Sequence, residues 1–148
     1  EKRATGSRPR RNGRVLPTRR NHLQVHRMTE HQIQAACVKW FNYQHANYKS
    51  LLFAIPNGAF LQGDKMQRIR LWKKLEAEGA KRGVPDLFLA VPAGGYAGLF
   101  MEMKAEKGIV SKEQRYIMLQ LAKVGYRTEV AYSVEEFMMK VNIYLSLP

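Results

Sequence analysis

Apolar and polar positions divide the chain from Met28 onward into segments of helical and strand period. Thr29-x-x-Gln32 has the form of a capping box, and Ile33, Ala36, Cys37, Trp40 and Phe41 recur behind it on one face. This predicts a first helix from about Glu30 to Tyr43. Leu51-Leu52-Phe53-Ala54-Ile55 is a short apolar strand ended by the turn signal Pro56-Asn57-Gly58. Asp64 to Glu78 reads as a second helix, with Met66, Ile69, Trp72 and Leu75 on its buried side and Gly79 closing it. Val84 to Val91 and Tyr96 to Lys104 are two apolar runs joined by Pro92-Ala93-Gly94-Gly95, the pattern of a β-hairpin. Ser111-x-x-Gln114 caps a third helix carrying Ile117, Met118, Leu121 and Ala122, which Gly125 ends. Tyr126 to Tyr132 reads as a strand, and Ser133-x-x-Glu136 caps a last helix through Leu145. The expected order is α-β-α-β-β-α-β-α, a mixed α/β domain with a central sheet and helices on both faces.

The hairpin carries the chemistry. Centred near Gly94, it pairs residues whose numbers sum to about 188, within one or two positions of register. Asp86 then lies opposite Glu102, and directly opposed residues share a face with Cβ atoms ~5 Å apart. Lys104, two residues on from Glu102, points to that face as well. Two opposed carboxylates destabilise a sheet unless something positive lies between them. A hard divalent cation such as Mg²⁺ accepts one or two carboxylates and keeps waters for its remaining positions. The residues alone support a second reading, a solvated hairpin face with a cross-strand Glu–Lys pair.

Composition narrows the partners. The 148 residues carry a net charge of +13, which points to a polyanion. Residues 1–27 hold nine Lys/Arg against Glu1, with Gly and Pro interspersed and no apolar period. Such a segment is expected to be a flexible basic arm, or an upstream leader, because Met28-Thr29-Glu30 reads like a natural start. Residues 28–148 form the expected domain. On the second helix and just after it, Lys65, Arg68, Arg70, Lys73, Lys74, Lys81 and Arg82 offer a phosphate-tracking surface or a merely solvated basic face. No apolar run is long enough for a membrane span, so no membrane partner is expected. The one cysteine, Cys37, cannot form an internal disulfide, and a reducing, cytoplasmic setting fits. No zinc-spaced Cys/His cluster, no Ser-His-Asp or Cys-His constellation and no small-molecule cofactor motif is present.

Pro85-Asp86 followed by Glu102-x-Lys104 resembles the PD-(D/E)xK nuclease core. Four further features are similar to its VRR-NUC (virus-type replication-repair nuclease) branch, in the short stand-alone phage-type form. They are Glu30-His31-Gln32-Ile33-Gln34, Ala54-Ile55-Pro56-Asn57-Gly58, Gly83 through Leu89 and Gly98 through Lys104. Ser111-Lys112-Glu113-Gln114 and the Gly125-Tyr126 step extend the match, which runs from about Met28 to Leu145.

The resemblance implies a restriction-endonuclease-like core and a DNA endonuclease dependent on Mg²⁺ or Mn²⁺. It implies that Asp86, Glu102 and the Met103 carbonyl bind metal and that Glu30 completes the acidic cluster directly or through water. Lys104 would position the attacking water, with Gln114 close by and Asn57 at the edge of the site. Glu30 also has a plain role, a carboxylate in the favourable first turn of a helix, and Gln114 has one in its capping box. The residues after Asn57, Ala59-Phe60-Leu61-Gln62, are more apolar than the family pattern. Stand-alone members resemble Holliday-junction resolvases, implying branched DNA, a homodimer and roles in DNA repair and recombination. A flap or single-strand endonuclease is the near alternative, and a non-catalytic basic DNA-binding protein is the rival from another class. RNA fits less well, because no aromatic RNP-like run is visible.

Overall fold

A computed structural model describes residues 27–55 and 63–148. The basic segment before Arg27 and the turn holding Asn57 lie outside the described residues. Among the described residues, four helices and four strands follow the expected order: α1 Glu30–Gln44, β1 Leu52–Ala54, α2 Lys65–Ala77, β2 Leu87–Leu89, β3 Leu99–Met103, α3 Lys112–Lys123, β4 Arg127–Ala131 and α4 Val134–Leu145. A 3-10 segment, Ala46–Leu51, precedes β1 and takes up Leu51, a residue expected in the strand.

The helix starts obey their local sequence. Thr29, Asp64 and Ser111 each accept a hydrogen bond from the amide three residues on, and Gln32, Gln67 and Gln114 reach back to close three capping boxes. Ser133 caps α4 in the same way, but the Glu136 side chain turns to the Tyr132 amide instead.

The sheet has the order β1-β2-β3-β4. Its first two pairings are antiparallel and the last, across the α3 crossover, is parallel. In the hairpin Leu87 faces Met101, Phe88 faces Phe100 and Leu89 faces Leu99, the register expected for a turn centred near Gly94. Gly94 and Gly95 take positive φ there, which side chains with a Cβ rarely adopt. At its open end β2 begins only at Leu87, because Pro85 has no N–H to give the ladder.

Alternation sorts the sheet into two faces. Leu87, Leu89, Leu99, Met101 and Met103 point to one side and join Ile33, Cys37, Phe41, Phe137, Val141 and Tyr144 in one buried core under α1 and α4. The Tyr144 hydroxyl donates to the Val91 carbonyl and ties α4 to the hairpin. Phe88, Phe100, Glu102 and Lys104 point the other way, toward α3. That face carries an aromatic row in which Phe88 stacks on Phe100 at 4.3 Å and Phe53 and Tyr126 meet them edge-on.

Helix α2 departs from its expected packing. Of the four residues assigned to a buried side, only Trp72 is buried; Leu75 is half-buried, and Met66 and Ile69 are 58% and 40% exposed. On α3, Ile117, Met118 and Leu121 are half-buried and Ala122 is exposed. In both helices an apolar period identifies one face without ensuring that anything dense packs against it.

Candidate active site

Strand β3 brings Glu102 and Lys104 to the end of the sheet, and the hairpin register sets Asp86 across from Glu102. Asp86 is pinned twice: the Ile55 amide donates to its carbonyl at 2.8 Å, and the Met103 amide donates to its Oδ2 at 2.9 Å. Glu102 is fully buried and Lys104 is 8% exposed. Lys104 Nζ lies 2.7 Å from Glu102 Oε1 and 3.9 Å from Glu30 Oε1. Gln114 Nε2 donates to the same Glu102 Oε1 at 2.5 Å. Glu102 Oε2 is buried with no hydrogen-bond partner among the described residues.

These charges perturb one another. Burial raises the Glu102 carboxyl to about 7; Lys104 opposes the shift and the Asp86 charge adds to it. Burial also raises Asp86, against the Met103 amide and Lys104, which pull it down. For Lys104, burial disfavours the charge, but the hydrogen bond to Glu102 and the surrounding carboxylates outweigh it, so its pKa rises. Lys104 therefore stays an ammonium while Glu102 sits near its protonation midpoint at neutral pH.

Glu30 opens α1, and its Oε1 accepts from the Ala105 amide at 3.3 Å. The structure places Glu30 beside Lys104; among the described residues no three His, Cys, Asp or Glu side chains converge to hold a metal ion. The acidic set on the hairpin is a pair, Asp86 with Glu102. A divalent cation fits that pair on one structural ground: Glu102 Oε2 is a buried acceptor without a donor, beside a second carboxylate. A buried acceptor in that state is costly unless something fills it. Hard oxygen donors are what Mg²⁺ and Mn²⁺ take.

Asp86, Glu102, Lys104, Glu30 and Gln114 line one cavity of about 620 Å³. Ser111, Glu113 and Arg82 also border it. Of the seven basic residues expected to track phosphate, Arg82 alone reaches this cavity. Lys65, Arg68, Arg70, Lys73, Lys74 and Lys81 are exposed elsewhere, Lys74 being 3.9 Å from Glu78. Sequence reasoning missed the contribution of Gly83. Its φ is +83°, and a Cβ there would stand 2.7 Å from the Glu113 backbone, so only glycine lets this segment meet the start of α3. The signal available was the glycine directly before Val84-Pro85-Asp86. Gly108 was missed as well; a Cβ there would approach Lys104 Cδ and Glu30 Oε1 at 3.0 and 3.1 Å.

Comparison with known proteins accords with this geometry. A solved structure described as a VRR_NUC domain protein superposes with a TM-score of 0.68 at 23% identity, covering 82% of this chain and 92% of that one. No curated protein matches the chain. Residues 28–135 match the VRR-NUC domain, the stretch that contains every side chain of the cavity. The chain belongs to the VRR-NUC family and is a nuclease of the PD-(D/E)xK type.

Proposed function

We propose that the protein is a divalent-metal-dependent endonuclease that hydrolyses phosphodiester bonds in DNA. The observation that carries this reading is the buried, unpartnered Glu102 Oε2 beside Asp86, with an ammonium held against the other Glu102 oxygen. Asp86 and Glu102 would hold Mg²⁺ or Mn²⁺, with the Met103 carbonyl as a further ligand and Glu30 acting through water. Bound there, the cation supplies Lewis-acid activation of water and offsets negative charge on the phosphate.

The chain's own residues do the rest. Gln114 and Lys104 both engage Glu102 Oε1, which leaves Oε2 free to bind. The Met103 amide fixes the Asp86 carboxylate through one oxygen and leaves the other available. Lys104, anchored between Glu102 and Glu30, orients the attacking water and stabilises charge that builds on the phosphate oxygens. Glu30 restrains that ammonium and the Ala105 amide fixes Glu30. The remaining exposed cations of α2 hold the DNA backbone without reading sequence.

We assign branched DNA as the preferred substrate and a homodimer as the working form; a two-fold pair places two sites on opposed strands. The family resemblance supports these assignments, and the apolar side chains of Met66, Ile69 and Leu71 that α2 leaves exposed support the dimer. The test is incubation with matched duplex, flap and four-way-junction DNA, with and without Mn²⁺. Preferential Mn²⁺-dependent cleavage of the junction is expected. Preferential flap cleavage gives the site a different substrate, and DNA binding with no cleavage in any arm makes the protein a non-catalytic binder.

A further inference from the structure

We propose that Arg82 seats a DNA phosphate at the mouth of the active-site cavity and that Trp72 positions it to do so; this rests on the nuclease reading above. The cavity is lined by the carboxylates of Glu30, Asp86, Glu102 and Glu113, a field that repels a polyanion. Its inner cation, Lys104, is committed to Glu102 and Glu30. Arg82 is the other cation on the wall.

Its surroundings hold the guanidinium without consuming its donors. The guanidinium carbon sits 4.6 Å from the centroid of the Trp72 ring. A planar guanidinium stacks on an indole face and still presents its edge to a phosphate, which a lysine cannot do. Its Nε stands 3.8 Å from Glu76 Oε1, an exposed pair that contributes orientation more than energy. Arg82 makes no hydrogen bond among the described residues, so its terminal amino groups remain available. Trp72 is the one buried residue of α2, and its indole Nε1 has no hydrogen-bond partner among the described residues. The indole is thus kept for its apolar body and its π face. Gly83 completes the arrangement by letting the chain after Arg82 press against the start of α3, where Gln114 reaches Glu102. The Glu113 carboxyl is lowered first by its own backbone amide and the Ser111 hydroxyl, and Arg82 adds to that shift, which agrees with its place at the rim.

The experiment measures two quantities on the full chain. One is the affinity for labelled four-way-junction and duplex DNA in EDTA over a salt series. The other is single-turnover cleavage in Mn²⁺ as protein concentration is varied. Arg82→Ala should weaken binding roughly tenfold and lower the slope of log K against log salt by about 0.9. The cleavage rate at saturating protein should stay within about threefold of the parent, which places the loss in binding rather than chemistry. Lys123→Ala, ~14 Å from Gln114 along α3, should leave half-saturation for cleavage nearly unchanged. Trp72→Leu should weaken binding and Trp72→Phe should restore most of it. In an Arg82→Ala background, Trp72→Leu should add nothing.

Equal effects of Arg82→Ala and Lys123→Ala would overturn the proposal. So would a full Trp72→Leu defect in the Arg82→Ala background, which would make Trp72 a purely structural residue. If the parent protein shows Arg82-dependent binding but never cleaves, the nuclease reading fails and the phosphate seat stands. If it cleaves and Arg82 is immaterial, the seat alone fails.

Discussion

Gln114 holds Glu102 with the same side chain that caps α3. Its Nε2 donates to Glu102 Oε1 at 2.5 Å while its Oε1 accepts from the Ser111 amide at 2.8 Å. The helix start and the acidic pair are therefore one hydrogen-bonded unit, and the orientation of Glu102 is inherited from the capping box. The two roles weighed for Gln114 from the sequence are both geometrically available to it.

Gln114→Glu keeps an oxygen for the Ser111 amide but removes the donor to Glu102 and adds a carboxylate beside it. Glu102 should hold its proton more tightly, and Mn²⁺ affinity at pH 7 should fall several-fold. Gln114→Ala should cost about 1 kcal/mol of stability through the lost cap. Mn²⁺ titration followed by thermal unfolding separates these effects. Parental Mn²⁺ affinity in Gln114→Glu would show that this contact does not set the Glu102 carboxylate.

Lys104→Ala should retain Mn²⁺ binding and DNA affinity but lose turnover by about 10² or more. Removing one partner of a buried ion pair commonly costs about 3–5 kcal/mol. Glu102 can relieve part of that by protonating, so the stability loss without metal should be smaller. Lys104→Arg should not restore the rate, because a planar fork cannot take the place of a compact ammonium. A near-normal single-turnover rate in Lys104→Ala would remove Lys104 from the chemistry.

The raised carboxyl of Glu102 predicts a pH signature in the metal-free protein. Its folded value of about 7 lies above the ordinary 4.5 of the unfolded chain, so the folded state binds the proton more tightly. The stability from this group is fully present below pH 4.5 and is lost as pH rises toward and through 7. The loss is on the order of 3 kcal/mol. Glu102→Gln carries no such group. Urea unfolding in EDTA should show the parent losing stability relative to Glu102→Gln between pH 4.5 and 7.5, whereas parallel curves would contradict the shift.

A protein beginning at Met28 should cut as fast as the full chain at saturating DNA, because every cavity residue lies at Glu30 or beyond. If residues 1–27 grip DNA, their removal should lower the salt slope of binding by about three to six, since each lost phosphate contact contributes ~0.9. An unchanged slope would identify the segment as a leader without a binding role.

The local features of the fold were legible and the long-range ones less so. Capping boxes at Thr29 and Ser111 are written within four residues and both form, whereas at Ser133 only the Ser side chain caps its helix. The pairing of Leu87 with Met101 follows from glycines that fix the turn and from alternation that fixes the face. Helix α2 shows the limit of a periodic pattern. Met66, Ile69 and Trp72 share a face, yet only Trp72 is buried, with the guanidinium of Arg82 over its ring. The approach of Glu30 to Lys104 joins a helix start to a strand end far along the chain. No local spacing encodes it; the family resemblance alone suggested that Glu30 comes near the site. The 3-10 segment from Ala46 to Leu51 has no apolar period and gave no signal to read.

Calorimetric titration of Mn²⁺ into the parent protein, Asp86→Asn and Glu102→Gln tests the central claim most directly. Asn retains an oxygen for the Met103 amide, and Gln nearly retains the shape of Glu102, so both variants should fold. The parent should bind Mn²⁺ and each variant should lose most of that heat, because each lacks one of two negative ligands. Unchanged Mn²⁺ binding in both variants would contradict a metal site at Asp86 and Glu102.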